Sequence, residues 1–161
     1  MPAIKNKRIL TSLLQKMYWI ESEMEQLGIW EARIELMNEN IEALETLSHD
    51  SDKHWIIIEK WLTKTNIKIP QSRPNGVPEH VFDFDGLAAQ DIFSKILKYE
   101  VLSMNAYKDV LNTDPTVIEE LLPDENDKKD FLRDFKQLIV DEEKHAIICR
   151  KQIGGFAKVM Y

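Results

Sequence analysis

Two segments lying 91 positions apart repeat one another, and each contains a histidine. Asp50-Ser51-Asp52-Lys53-His54-Trp55-Ile56-Ile57-Ile58-Glu59-Lys60 aligns with Asp141-Glu142-Glu143-Lys144-His145-Ala146-Ile147-Ile148-Cys149-Arg150-Lys151. The aspartate, first lysine, histidine, both isoleucines and final lysine coincide without a gap. A duplication of this kind points to two like helices facing each other across one site. The second copy reads Glu142-x-x-His145, one helical turn, so both side chains leave the same face. The first copy has Ser51 in place of that glutamate.

Helical periodicity runs through most of the chain. From Ile9 to Met37, apolar residues recur every three or four positions: Leu10, Leu13, Met17, Ile20, Leu27, Trp30, Ile34 and Met37. Asn38-Glu39-Asn40 offers cap candidates, and a second pattern follows through Ile41, Leu44, Leu47, His54, Ile58 and Trp61. So short a connection makes these helices antiparallel neighbours. Thr65 to Gly86 differs, because Pro70, Pro74, Pro78, Gly76 and Gly86 break every period. At about 3.3 Å per residue, such a stretch spans the length of a helical bundle. A third helix is expected from about Gly86 to Asn112, and a short one opens at Asp114-Pro115 and closes at Pro123. The last begins near Asp124 to Asp127, and Gly154-Gly155 gives its stop signal. A short loop, a long crossover and a medium loop predict an all-α, one-crossover four-helix bundle, with helices two and three parallel. Residues 1–161 read as a single domain of this kind.

The charge balance narrows the partners. A net charge of -7 argues against an exposed nucleic-acid surface, which needs clustered Lys and Arg. Cys149 is the only cysteine, so an internal disulfide and a CxxC metal ribbon are excluded. A lone thiol suits a reducing cytoplasm. The basic start, Met-Pro-Ala-Ile-Lys-Asn-Lys-Arg, is followed by no apolar signal core, and apolar runs fall far short of the roughly 20 residues of a membrane span.

Glu142 and His145 sit on the stripe Phe131, Phe135, Leu138, Cys149, otherwise a packing face. Glu100 lies likewise among Phe93, Ile96, Ser103 and Tyr107. A glutamate on a core stripe is costly unless it is paired or bound to a metal. His54 supplies a second imidazole, and helix one offers Glu23 or Glu21. Placing Glu23 on Glu100, an offset of 77, puts Trp19 on Ile96, Leu27 on Met104 and Trp30 on Tyr107. Placing Glu21 there puts Gly28 on Tyr107, so the superposition favours Glu23. The difference from 91 is close to the length of the segment around Asp114 to Pro123, so one duplication with one insertion accounts for both offsets. The candidate metal set is Glu23, His54, Glu100, Glu142 and His145, with Ser51 beside it.

Glu23, then Asp50-Ser51-x-x-His54, then Glu100 with Tyr107 two turns on, then Asp141-Glu142-x-x-His145 resembles the ferritin-like superfamily. Its rubrerythrin-like di-iron branch is the nearest match, over roughly Ile9 to Ile153. The resemblance implies a ferritin-like bundle holding two irons per chain that react with peroxide or dioxygen. Another divalent metal can take their place, and a homodimer fits the same resemblance. Ser51 stands where a bridging glutamate belongs, so the side nearest His54 is expected to be weak or empty, leaving one iron. The cysteine-ligated rubredoxin module has no counterpart, so an external electron donor is implied.

Each of these residues also has an ordinary reading. A lone Glu-x-x-His is common on exposed helices, and Glu23 alone suits a solvated position. Tyr107 reads as a core tyrosine with a hydroxyl partner, with a redox role as the alternative. Cys149 reads as a small inert hydrophobe, Trp19, Trp30, Trp55 and Trp61 as packing residues, and His49 and His80 as surface or loop residues. Two functions follow: an iron-dependent oxidoreductase of peroxidase or ferroxidase type, or a non-catalytic helical interaction protein with a vestigial metal site.

Overall fold

Polar caps start the helices where the sequence offers them. A computed structural model describes residues 3–24, 33, 36, 38–79 and 83–153. It contains α1 (Lys7–Glu23), α2 (Asn38–Lys64), α3 (Ala89–Leu111), α4 (Pro115–Leu121) and α5 (Glu125–Gln152). Asn6 accepts from the Arg8 amide at the start of α1, and Asp114 accepts from Thr116 with Pro115 in the first turn of α4. Asp124 accepts from the amides of Asn126 and Asp127, satisfying two orphan donors of α5. The protein is all-α. No strand forms among the described residues, where the β contact is an isolated bridge from Ile4 to Thr113.

The exit from α2 is built by a motif that glycine usually supplies. Asn66 takes φ 58°, the Ile67 amide bonds Leu62 O at 2.8 Å and the Asn66 amide bonds Thr63 O at 3.2 Å. These are the paired bonds of a Schellman cap, and buried Leu62 and Ile67 add its hydrophobic contact. The chain then crosses to α3 through residues 65–88. The Lys68 carbonyl accepts from Gln15 on α1 at 2.8 Å, and the Asp83 carbonyl accepts from Lys95 on α3. Val77 and Phe84 are buried within this crossover.

Contacts fix the helix directions. Glu21 meets His54 while Met24 meets Ser51, so α1 and α2 are antiparallel. His145 meets Asp50 and Lys64 meets Asp127, so α2 and α5 are antiparallel. Glu100 meets His145 and Tyr107 packs on Phe135, so α3 is antiparallel to α5. Glu21 meets Tyr107 near one end of the α1–α3 contact, and Ile4 meets Thr113 at the other. Helices α2 and α3 therefore run the same way. Leu27, Trp30, Ile34 and Met37, expected to continue helix one, lie outside the described residues.

An aromatic cluster fills the core from Trp61 to Tyr107, which borders the Glu21–His54 contact. Trp61 packs edge-on to Phe131 at 5.3 Å, Phe131 lies 4.7 Å from Phe135, and Phe135 lies 5.8 Å from Tyr107. All four side chains are buried, each contributing about 1.5–3 kcal/mol. Outside it, Asp134 accepts from Trp61 Nε1 at 2.9 Å and from Lys60 at 2.6 Å. The register of α2 against α5 is thus set about two turns from His54.

Candidate metal centre

The buried faces of the long helices match in pairs. A shift of 91 carries buried Leu44, Leu47, Ser51, His54 and Ile58 of α2 onto buried Phe135, Leu138, Glu142, His145 and Cys149 of α5. A shift of 79 carries buried Leu14, Met17, Ile20, Glu21 and Met24 of α1 onto buried Phe93, Ile96, Tyr99, Glu100 and Ser103 of α3. The pair α1–α2 thus repeats the pair α3–α5, and the two repeats meet at the histidines.

The contacts follow that approximate two-fold. Asp50 and Asp141 are equivalent positions, and each serves the histidine of the other copy. Asp141 Oδ2 lies 3.1 Å from His54 Nε2, and Asp50 Oδ2 lies 2.9 Å from His145 Nε2. Each aspartate accepts from the Nε2 side of its ring, so a ring that gives up its other proton to an ion would turn the Nδ1 lone pair inward. The rings stand 5.4 Å apart, tilted by 29°. Between them sits Glu142, with Oε1 2.9 Å from His54 Nδ1 and Oε2 3.4 Å from His145 Nδ1. Glu21 Oε1 closes one side at 3.4 Å from His54 Nδ1, and Glu100 Oε2 closes the other at 3.1 Å from His145 Nδ1. Tyr107 donates its hydroxyl to Glu21 Oε1 at 2.6 Å.

Several of these atoms are close without being satisfied. His54 Nδ1, Glu100 Oε1 and both Glu142 oxygens are buried with no aligned hydrogen-bond partner. Orphan acceptors at one point in a core are expensive. Ligand atoms of His54, Glu142 and His145 lie within 4.8 Å of one another, and this buried group can hold a metal ion. Imidazole nitrogen with carboxylate oxygen suits first-row divalent ions.

Electrostatics gives the same picture. Burial opposes charge on His54, but Glu21, Asp141 and Glu142 outweigh it and raise its pKa well above the usual value. Burial likewise opposes charge on His145, and Glu100 with Glu142 push it up to about 11. Burial and then the neighbouring Glu142 raise Glu100 well above the carboxylate range. Burial and then Glu21 do the same to the Tyr107 phenol. Without a cation, His54, His145, Glu100 and Tyr107 all hold their protons more tightly than the free groups do.

The structure brings His54, Glu100, Glu142 and His145 together. Glu23 is not among them. It is half-buried and accepts from Trp19 Nε1 at 3.0 Å, one turn back on the flank of α1. Glu21 takes the inward place, because the buried stripe runs Leu10, Leu14, Met17, Glu21, Met24. Residues 21 and 23 leave an α-helix about 200° apart, so only one can face the histidines. The offset for α1 is therefore 79 and not 77. Ser51 is buried, and its hydroxyl donates to Met24 Sδ at 3.1 Å. Cys149 is buried and its thiol pKa is raised, first by burial and then by Glu100 and Glu142. His49 is exposed, and His80 lies outside the described residues. Sequence reasoning left Asp50 and Asp141 without a role, although both stand in the repeat and that recurrence was the available signal.

Among the described residues, no helix is long and apolar enough to cross a membrane. No family model, curated protein or solved structure matches this chain.

Proposed function

We propose that the chain is a ferritin-like four-helix bundle whose buried centre holds iron for oxidoreduction with peroxide or dioxygen. The observation that carries this reading is Glu142, wedged between the Nδ1 atoms of two histidines with no aligned hydrogen bond to either of its own buried oxygens. A carboxylate so placed suits the space between two cations, with Glu21 and His54 on one side and Glu100 and His145 on the other. Glu21, His54, Glu100, Glu142 and His145 would hold the iron, which would supply the electrons for reducing peroxide or dioxygen. The protein's own part is positional. Asp50 and Asp141 orient the imidazoles, and the aromatic and aliphatic core around them limits water. The Tyr107 hydroxyl donates to Glu21 Oε1 and so holds that carboxylate toward His54. Electrons to restore the centre come from an external donor in this reading, and the protein works in the cytoplasm, as a homodimer or alone.

The test is anaerobic titration with Fe(II), followed by desalting, metal analysis and addition of hydrogen peroxide. Wild type should retain iron and show an absorbance change on peroxide addition, and Glu142→Gln should lose both. A second reading, a helical interaction protein with a vestigial polar core, has Ser51 in its favour, since the hydroxyl bonds Met24 in place of a fourth carboxylate. Wild type that retains no iron and no other first-row ion would decide for that reading.

A further inference from the structure

The approximate two-fold fails at two pairs of equivalent positions beside the histidines, and the two exchanges are linked. Glu142 on α5 is equivalent to Ser51 on α2, and Ser103 on α3 is equivalent to Met24 on α1. One half therefore has a long carboxylate on the inner helix and a small serine on its neighbour. The other half has the small serine on the inner helix and a long thioether on the neighbour. All four residues are buried. Glu21 and Met24 are one turn apart on α1, as Ser51 and His54 are on α2. The antiparallel packing sets Glu21 against His54 at 3.4 Å and Met24 Sδ against Ser51 Oγ at 3.1 Å. The sulfur thus lies against Ser51, the position from which the fourth carboxylate of a symmetric centre would extend.

Two consequences follow for the ion on that side. A thioether is a soft donor that favours copper(I), whereas carboxylate with imidazole favours harder divalent ions. The inner carboxylates are Glu21, Glu100 and Glu142. They number one fewer than the four that a symmetric centre with a glutamate at position 51 would have, and the missing one is on the His54 side.

Resting on the metal-centre reading above, we propose that the centre is built for two different ions: a hard divalent ion on the Glu100–His145 side and copper(I) on the side of Glu21, His54 and Met24. Glu142 lies between them, and the Met24 thioether is the donor that separates the two positions.

The probes are Mn(II), which has little affinity for thioethers, and Cu(I) delivered anaerobically from a chromophoric chelator. Both should bind together, with copper-edge absorption showing sulfur in the copper shell. Met24→Leu should remove that sulfur and weaken Cu(I) by about tenfold or more while leaving Mn(II) affinity unchanged. Cys149→Ser should change neither ion, because the thiol belongs to the His145 side. Loss of the sulfur signal in Cys149→Ser, or its survival in Met24→Leu, overturns the assignment. Mn(II) binding without Cu(I) binding also overturns it and leaves the metal centre standing. Binding of neither ion removes the centre as well. If circular dichroism shows that Met24→Leu does not fold, Ser51→Glu decides. The added carboxylate should bring in a second Mn(II) and weaken Cu(I), and unchanged copper affinity overturns the proposal.

Discussion

Asp141 holds His54 at 3.1 Å across the seam between α2 and α5, and the equivalent Asp50 holds His145 at 2.9 Å in the opposite sense. The bonds cross between the repeats, so each copy orients the imidazole of the other. Neither aspartate reaches the inner face of its ring. Asp141→Asn should therefore weaken ion binding on the His54 side by about 10–100-fold, and Asp50→Asn should do the same on the His145 side. Chelator competition with each single variant checks this. Equal loss at both positions from either variant would show that the aspartates act on the fold and not on their own histidines.

Glu21 and Glu23 can be separated directly. Glu21→Gln removes a carboxylate 3.4 Å from His54 Nδ1, so metal affinity should fall by about tenfold or more. Glu23→Gln keeps an acceptor for Trp19 Nε1, and affinity should stay within about twofold. The reverse order would restore the helix-one assignment that the sequence favours.

The reason Glu23 looked better shows where sequence reasoning stops. Placing Trp19 on Ile96 treats it as a core residue, and an aromatic side chain on a helix flank satisfies the same spacing as one in the centre. Its indole bond to Glu23 places both on that flank, a fact no periodicity contains. His54, Glu100, Glu142 and His145 were legible because each interrupts an otherwise apolar stripe, and burial leaves such residues little alternative to a shared partner. Crossover length and cap residues carried the helix order in the same way. The Ser51–Met24 pair was not legible, because it depends on which helix supplies the long side chain at one level of the core. That appears only once α1 is set in register against α2.

Asp134 tests the packing apart from the centre. Its carboxylate is the partner of the buried Trp61 Nε1–H and also meets Lys60. Asp134→Ala leaves the indole donor unpaired in the core, so chemical denaturation should show a loss of about 1–3 kcal/mol. Asp134→Asn should lose less, since its amide oxygen still accepts from Trp61. Metal affinity should not change in either variant, because the contact lies about two turns from His54. A matched loss of affinity would mean that the α2–α5 register itself positions the histidines.

The last expectation concerns pH and takes opposite signs with and without an ion. His54 and His145 have folded-state pKa values raised above the unfolded value, His145 to about 11, because the surrounding carboxylates outweigh burial. Raised histidines contribute stability that is fully present below the unfolded pKa of about 6.5 and is lost as pH climbs toward the folded value. Glu100 is also raised, by burial and by Glu142. A raised carboxyl loses stability as pH rises above its unfolded pKa, so it acts in the same direction. The ion-free protein should therefore melt at progressively lower temperature between about pH 6.5 and 9. Metal affinity should rise over that same interval, because a cation displaces the protons these groups carry. Calorimetric titration with Mn(II), in buffers of different ionisation enthalpy, should show net proton release on binding. Melting that does not depend on pH, together with binding that releases no proton, would mean that His54, His145 and Glu100 do not titrate as one coupled centre.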